Sequence, residues 1–165
     1  MDIPLSNGHI GEMINDLDNS GLNMVNMHDI KKNTNIEDIF NNRGHALIFV
    51  KYPNQDVGHW TSLVRNNDKE YIFFDSLGKP LKHYNKDAVD CILKYGNLFQ
   101  NKKKYQSDQS SVCGRYAFLL IGLNKLSNGK QTSKLLKEIL EGKPKNMTYD
   151  EWVLHITKDN DTKKY

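Results

Sequence analysis

The sequence predicts one α+β domain: a central mixed β-sheet flanked by helices, with a cysteine at the N-terminus of a buried helix. Three observations predict it. Strand-like segments gather in the middle of the chain, between about residues 45 and 76, and helical periodicity lies on both sides of them. The run Ala46-Leu47-Ile48-Phe49-Val50 is long enough for a buried central strand. Cys113-Gly114 opens an almost wholly apolar run that continues through Ile121. A chain of 165 residues fits a single domain, 1–165, large enough to bury a core, with a flexible tail over 158–165.

The elements follow in order. Ser6 can cap a first helix through Leu17, with Ile10, Met13, Ile14 and Leu17 at helical spacing, and Asn19-Ser20-Gly21 ends it. A polar connection holding His28 and Ile30 leads to a short helical or turn segment over 35–40. The central strand covers 45–52 and stops at Pro53, and Asn54-Gln55-Asp56 is a loop. Residues 59–65 and 70–76 are rich in aromatic and β-branched types around Asn66-Asn67-Asp68, which is a hairpin pattern. After the loop Leu77-Gly78-Lys79-Pro80, a helix is expected over 87–99, with Val89, Ile92, Leu93 and Tyr95 as its apolar side. Tyr105-Gln106 reads as a short strand or extended segment, 107–111 as polar loop, and 112–126 as the cysteine helix. A helix over 133–140 follows Ser127-Asn128-Gly129. Thr148 with Glu151 forms a capping-box pattern for a last helix that carries Trp152 and Ile156.

Composition sets bounds on function. Hydrophobic residues make up 38% and charged residues 26%, and the formal net charge is only +3. That balance is not a nucleic-acid-binding signature. No apolar stretch approaches the ~20 residues that span a bilayer, and the first residues lack the apolar region of a signal peptide. Cys91 and Cys113 are the only cysteines, which points to free thiols in a reducing compartment.

Three residue types make a candidate site. Cys113 is expected in the first turn of its helix, where free backbone N–H groups and the positive end of the dipole favour a thiolate. His59, in Gly58-His59-Trp60, is a candidate base, and Asp75, in Phe74-Asp75-Ser76, a carboxylate to orient it. If the hairpin is centred on Asn67, residues whose numbers sum to 134 face each other, and His59 and Asp75 are such a pair. Directly opposed side chains have Cβ atoms roughly 4.5–5.5 Å apart, within reach of a carboxylate–imidazole hydrogen bond. Gly114 lets a substrate backbone approach without a Cβ in the way. Gln106, seven residues before the cysteine, can offer its amide as an oxyanion donor beside the Cys113 N–H.

Each of these residues also has a structural reading. A cysteine opening a buried helix is often a small core residue. His59 can be a surface strand residue, Asp75 can bond a turn, and Ser76 can act as a cap. Trp60 reads as a core or ring partner that holds the imidazole. Gln109 shares the loop with Gln106, and a loop glutamine is commonly solvated. Cys91 reads as a buried structural thiol. His9, His28, His45, His83 and His155 show no ligand spacing, so no metal site is expected. Lys102-Lys103-Lys104 and the Lys163-Lys164 tail are either solvated charge or a DNA-contacting patch, whose binding would depend strongly on salt.

In combination the motifs resemble a known family. The order His-Trp, then Asp-Ser after a short hairpin, then Gln, then Cys-Gly opening an apolar helix is similar to the adenovirus-type (adenain-like) maturation cysteine proteinases. The SUMO and ubiquitin-like deconjugating proteases are their relatives. The seven-residue step from Gln106 to Cys113 is more like the adenovirus type, since deconjugating enzymes usually show a step one shorter. Leu5-Ser6-Asn7 and the short chain also fit proteinases of small double-stranded DNA viruses, virophages and polinton-like elements. The resemblance covers roughly residues 5–126. It has one departure, an interval from His59 to Asp75 one residue shorter than the family pattern.

The resemblance implies an adenain-like fold and a cysteine endopeptidase that cleaves viral capsid and core precursor proteins after small residues such as glycine during virion maturation. It implies His59, Asp75 and Cys113 as the triad and Gln106 as the oxyanion donor. No cofactor is required for the chemistry, and DNA or a peptide is a possible activator. Lys102, Lys103 and Lys104 are the candidate DNA contacts; a second cysteine captures an activating peptide in adenovirus proteinases, but Cys91 matches its position too loosely for that role to carry over. The expected locations are the virion interior and the host-cell cytoplasm or viral factory, without secretion or membrane contact. Three alternatives stay open: a ubiquitin-like deconjugase, an acetyltransferase using the same triad, and a binding module that has kept the fold.

Overall fold

The computed structural model describes residues 23–41, 43–54, 58–67, 69–108 and 112–157. The helix expected over 6–17, Gln55-Asp56, the turn residue Asp68, residues 109–111 and the tail from Lys158 lie outside the described residues.

Near-continuous apolar runs build the middle of a five-stranded sheet. Strands β2 (His45–Lys51), β3 (Gly58–Arg65) and β4 (Glu70–Phe74) form its antiparallel middle. β1 (Met24–Asn26) joins β2 in parallel and β5 (Asn97–Gln100) joins β4 in parallel, so the sheet is mixed, in the order β1-β2-β3-β4-β5. The helices are α1 (Ile36–Phe40), α2 (Leu81–Tyr84), α3 (Lys86–Leu93), α4 (Cys113–Leu126), α5 (Thr132–Glu141) and α6 (Tyr149–Ile156). The fold class is α+β.

Both faces of the sheet are covered, because successive side chains point to opposite sides. Ala46, Ile48, Leu63, Tyr71 and Phe73 pack with Ile36, Phe40, Leu81 and Ile92 from α1–α3. Leu47, Val64, Ile72 and Phe74 pack with Leu119, Leu120, Leu123, Leu136 and Ile156 from α4–α6. Helix α4 is apolar on nearly every side because it is enclosed, with β2 and β3 on one flank and α5 and α6 on the other. Asn85 caps α3 through Asp87 and Ala88 N–H, and its amide donates to the carbonyls of Met27 and Ile30. The Thr148–Glu151 capping box starts α6.

The structure corrects three expectations. The helix expected over 87–99 ends at Leu93, and residues 97–100 form β5 instead. Gly96 makes the break: a Cβ there would stand 2.2 Å from the Lys69 carbonyl oxygen, so only glycine lets the chain turn beside β4. The polar connection contains β1 and a 3₁₀ turn over Met27–Asp29, where pairing with buried β2 outweighs weak local strand propensity. Of the two readings of Tyr105-Gln106 the short strand is not formed; both residues donate their N–H to the Ser76 carbonyl. In the β3–β4 ladder Ser62 faces Phe74 and Leu63 faces Phe73, so facing numbers sum to 136 and the hairpin centres on position 68.

Candidate active site

The shifted register carries His59 and Asp75 out of direct opposition but keeps them on one face. A two-residue shift preserves side-chain parity, and diagonal neighbours are within reach of long side chains. Asp75 follows the last residue of β4, and its Oδ1 lies 2.5 Å from His59 Nε2. That contact leaves Nδ1 as the ring nitrogen that hydrogen-bonds the Cys113 thiol. Cys113 opens α4 on the other side of the sheet, and the backbone N–H of Trp60 donates to its Sγ at 3.4 Å. The structure therefore joins His59, Asp75 and Cys113, which come from three separate stretches of chain. All three are buried, at 2%, 0% and 8% exposure.

Asp75 does two jobs. Besides His59 it accepts from the N–H groups of Leu77 (2.9 Å) and Lys79 (3.3 Å) and from the Tyr84 hydroxyl. Its own backbone is bracketed by Asn101, whose Oδ1 accepts the Asp75 N–H at 3.0 Å while Nδ2 donates to the Asp75 carbonyl at 2.6 Å. Tyr84 and Asn101 are supporting residues that the sequence reading did not identify. Neither lies in a local pattern with Asp75, so no short-range signal marks them.

The ring beside His59 is Tyr84, at 6.4 Å between centroids, and not Trp60. Residues 59 and 60 point to opposite faces, so the Trp60 ring packs on Phe49 at 4.8 Å. What Trp60 gives the site is its backbone N–H. Gly114 is not demanded by the protein's own packing: a Cβ there would meet only Trp60, at 3.9 Å.

The electrostatics favour a charged pair. Burial works to lower the His59 pKa, but hydrogen bonds to Asp75 and Cys113 and the fields of both push it up to about 9. Burial works to raise the Cys113 pKa, but the His59 hydrogen bond, the Trp60 N–H, the imidazolium field and the Gly114 N–H hold it below the ordinary thiol value. Asp75 is likewise lowered against its burial, by hydrogen bonds from His59 and Tyr84. The Tyr52 hydroxyl, just past β2, has its pKa raised by burial and by the fields of Cys113 and Asp75.

Gln106 is 4% exposed and is held by Ser76, whose hydroxyl donates to Gln106 Oε1 at 2.5 Å. Ser76 is thus a partner of Gln106 and not a helix cap. The next residue, Ser107, donates its N–H to Asp150 Oδ2 at 3.2 Å, while Asp150 Oδ1 accepts from Tyr116 of α4 at 2.9 Å. One cavity, of about 480 Å³, is lined by Gln106, Tyr149 and Lys143, and another, of about 250 Å³, by Trp60, Phe49 and Met24. A third, of about 410 Å³, lies between β5 and α5, and none of the three is lined by Cys113 or His59.

The other candidates are placed elsewhere. Cys91 is fully buried in α3, its thiol donates to the Thr34 carbonyl at 3.1 Å, and burial raises its pKa. Both cysteines are free thiols. Lys103 donates to the Tyr149 hydroxyl at 2.7 Å, Lys104 pairs with Asp108, and Lys102 is exposed. Among the described residues no group of three or more His, Cys, Asp or Glu side chains is placed to hold a metal ion. No helix among them is long and apolar enough to cross a membrane.

No protein-family model and no curated protein sequence matches the chain. Among solved structures the chain is similar to the crystal structure of the ASFV pS273R protease, with 13% identity over 94% of this chain and 67% of that one and a TM-score of 0.45. At 13% identity too few residues are shared for any role to pass from one chain to the other.

Proposed function

We propose that this chain is a cysteine endopeptidase with Cys113 as nucleophile, His59 as acid and base, and Asp75 as the group that orients His59. The observation that carries this reading is the buried contact series from Asp75 through His59 to Cys113, ending on a thiol held below its ordinary pKa. The thiolate attacks a peptide carbonyl, and the C–O π pair moves onto oxygen to give a tetrahedral oxyanion. The Cys113 N–H and the Gln106 amide hold that charge. Imidazolium gives its proton to the leaving amine as the C–N bond breaks, and water then cleaves the thioester with His59 taking and returning the proton. Asp75 keeps the ring in the tautomer and orientation this needs. The cavities lined by Gln106 and by Trp60 offer room for peptide residues beside the groups named here.

The substrate class in this proposal comes from the motif resemblance: capsid and core precursors, cut after small residues such as glycine. Non-specific DNA contact through Lys102, Lys103 and Lys104 belongs to the same proposal. Two of those ammonium groups already have partners, so the patch would make few phosphate contacts, bind weakly and show only a shallow loss of affinity with salt.

The test is incubation of the purified protein with structural precursor proteins from its own genome, with and without DNA, followed by mass mapping of fragments. Discrete cuts that vanish in Cys113→Ala are expected. Cleavage that persists in Cys113→Ala overturns the reading, as does label passing from acetyl-CoA to a protein lysine without any cleavage.

A further inference from the structure

Building on the peptidase reading of the site, we propose that Ser76 is the positioning residue for the Gln106 amide. One dipeptide, Asp75-Ser76, then sets both the imidazole and the oxyanion donor. Ser76 is 1% exposed and makes three hydrogen bonds to residues 105 and 106. Its carbonyl accepts from Tyr105 N–H at 2.8 Å and from Gln106 N–H at 2.9 Å, and its hydroxyl donates to Gln106 Oε1 at 2.5 Å.

The chemistry gives that hydroxyl a specific task. A carboxamide has two ends of similar shape and opposite polarity, and only the amino end can stabilise an oxyanion. A donor fixed on Oε1 commits the carbonyl end to Ser76 and turns the amino end away from it. Ser76 itself starts from a fixed point, because Asn101 holds both backbone groups of Asp75. On the far side, Asp150 holds Ser107 and ties it to Tyr116, one turn into the cysteine helix. The Gln106 backbone is thereby pinned to β4 and α4 together, and the Ser76 hydroxyl decides how its amide is presented.

Two reagents separate this role from a merely structural one. p-Nitrophenyl acetate acylates a thiolate through a tetrahedral oxyanion, forming a thioester and releasing p-nitrophenolate. Iodoacetamide alkylates the same sulfur by displacing iodide from a saturated carbon, and no oxyanion forms. Ser76→Ala is expected to slow Cys113 acylation by roughly 10- to 100-fold, somewhat less than removal of an oxyanion donor outright. Alkylation of Cys113 should stay within about twofold of wild type, since the thiolate pair is untouched. In a Gln106→Ala background, Ser76→Ala should slow acylation no further, because both act through one group.

Equal acylation by Ser76→Ala and wild type overturns the proposal. So does an equal loss in alkylation, or the same fold-loss repeated in the Gln106→Ala background. If Ser76→Ala does not fold, Ser76→Cys, with its weaker donor, is read by the same pair of rates at Cys113. A wild-type protein that alkylates readily but is not acylated at all defeats the peptidase reading, and this inference with it. That outcome is distinct from a wild type that acylates and a Ser76 variant that does the same.

Discussion

The backbone N–H of Trp60 points at the sulfur of Cys113 across 3.4 Å, while the Trp60 ring turns away onto Phe49. Consecutive residues of β3 thus serve the thiol in different ways, His59 through its ring and Trp60 through its main chain. The second contact survives any substitution at position 60 except proline, which has no N–H. The helix start contributes as well, because Val112 offers no side-chain acceptor to the first-turn N–H groups of α4.

Alkylation of Cys113 should therefore begin at lower pH than for an ordinary cysteine. The thiol pKa is held down against its burial. In His59→Ala the largest compensation is gone and burial dominates, so the pKa moves up. Each unit of that rise cuts the thiolate fraction at neutral pH about tenfold. Iodoacetamide rates across pH measure it, and an identical profile in His59→Ala would rule out the pairing. Peptidase activity should show a second limb near pH 9, where His59 loses its proton.

Asp75→Asn should keep the fold and lose turnover, by roughly 10²–10⁴ on the scale known for triad carboxylates. The alkaline limb should move down from about 9, because the carboxylate helps to hold the imidazolium proton. The Asp75 pKa is lowered in the folded state, so its ionised form contributes stability that is present above the ordinary aspartate value of 3.8. That contribution is lost as pH falls through the lower native value. Melting temperature below about pH 4 should thus fall more steeply for wild type than for Asp75→Asn. Parallel curves would contradict this.

Gly114→Ala tests whether the glycine serves the substrate. A Cβ there has room within the protein, so the thermal midpoint should change little or rise slightly, as alanine favours the helix by about 1 kcal/mol over glycine. Peptide cleavage should nevertheless weaken, chiefly through KM. Unchanged kinetics would mean that the added methyl group clears the substrate.

Gly96→Ala should destabilise without touching the chemistry. Its Cβ would collide with the Lys69 carbonyl, backbone that cannot swing aside, at a cost of about 1–3 kcal/mol. Urea unfolding measures the loss, and residual activity per folded molecule should match wild type.

Much of the architecture can be read from local patterns. The apolar run over 46–50 and the hairpin composition specify the antiparallel middle of the sheet, and the cysteine helix and the Thr148 capping box lie within a residue of their expected starts. The failures have a common cause. β1 and β5 are short parallel edge strands whose partners lie far along the chain, and Gly96 breaks what periodicity alone reads as continuous helix. The candidate site is legible as residue types at characteristic intervals, and Ser76, Tyr84 and Asn101 are not, since their roles are hydrogen bonds across 9 to 30 positions.

The amino-acid order alone determined an α+β domain and which sulfur, imidazole, carboxylate and amide are candidates, because periodicity and turn chemistry act over a few residues. Tertiary structure decided the pairing. The β3–β4 register sits two positions from the composition-based expectation, and only parity and a diagonal reach bring Asp75 Oδ1 within 2.5 Å of His59. It also decided which groups hold the Gln106 amide and the Asp75 backbone, because packing of the two layers against the sheet sets those distances.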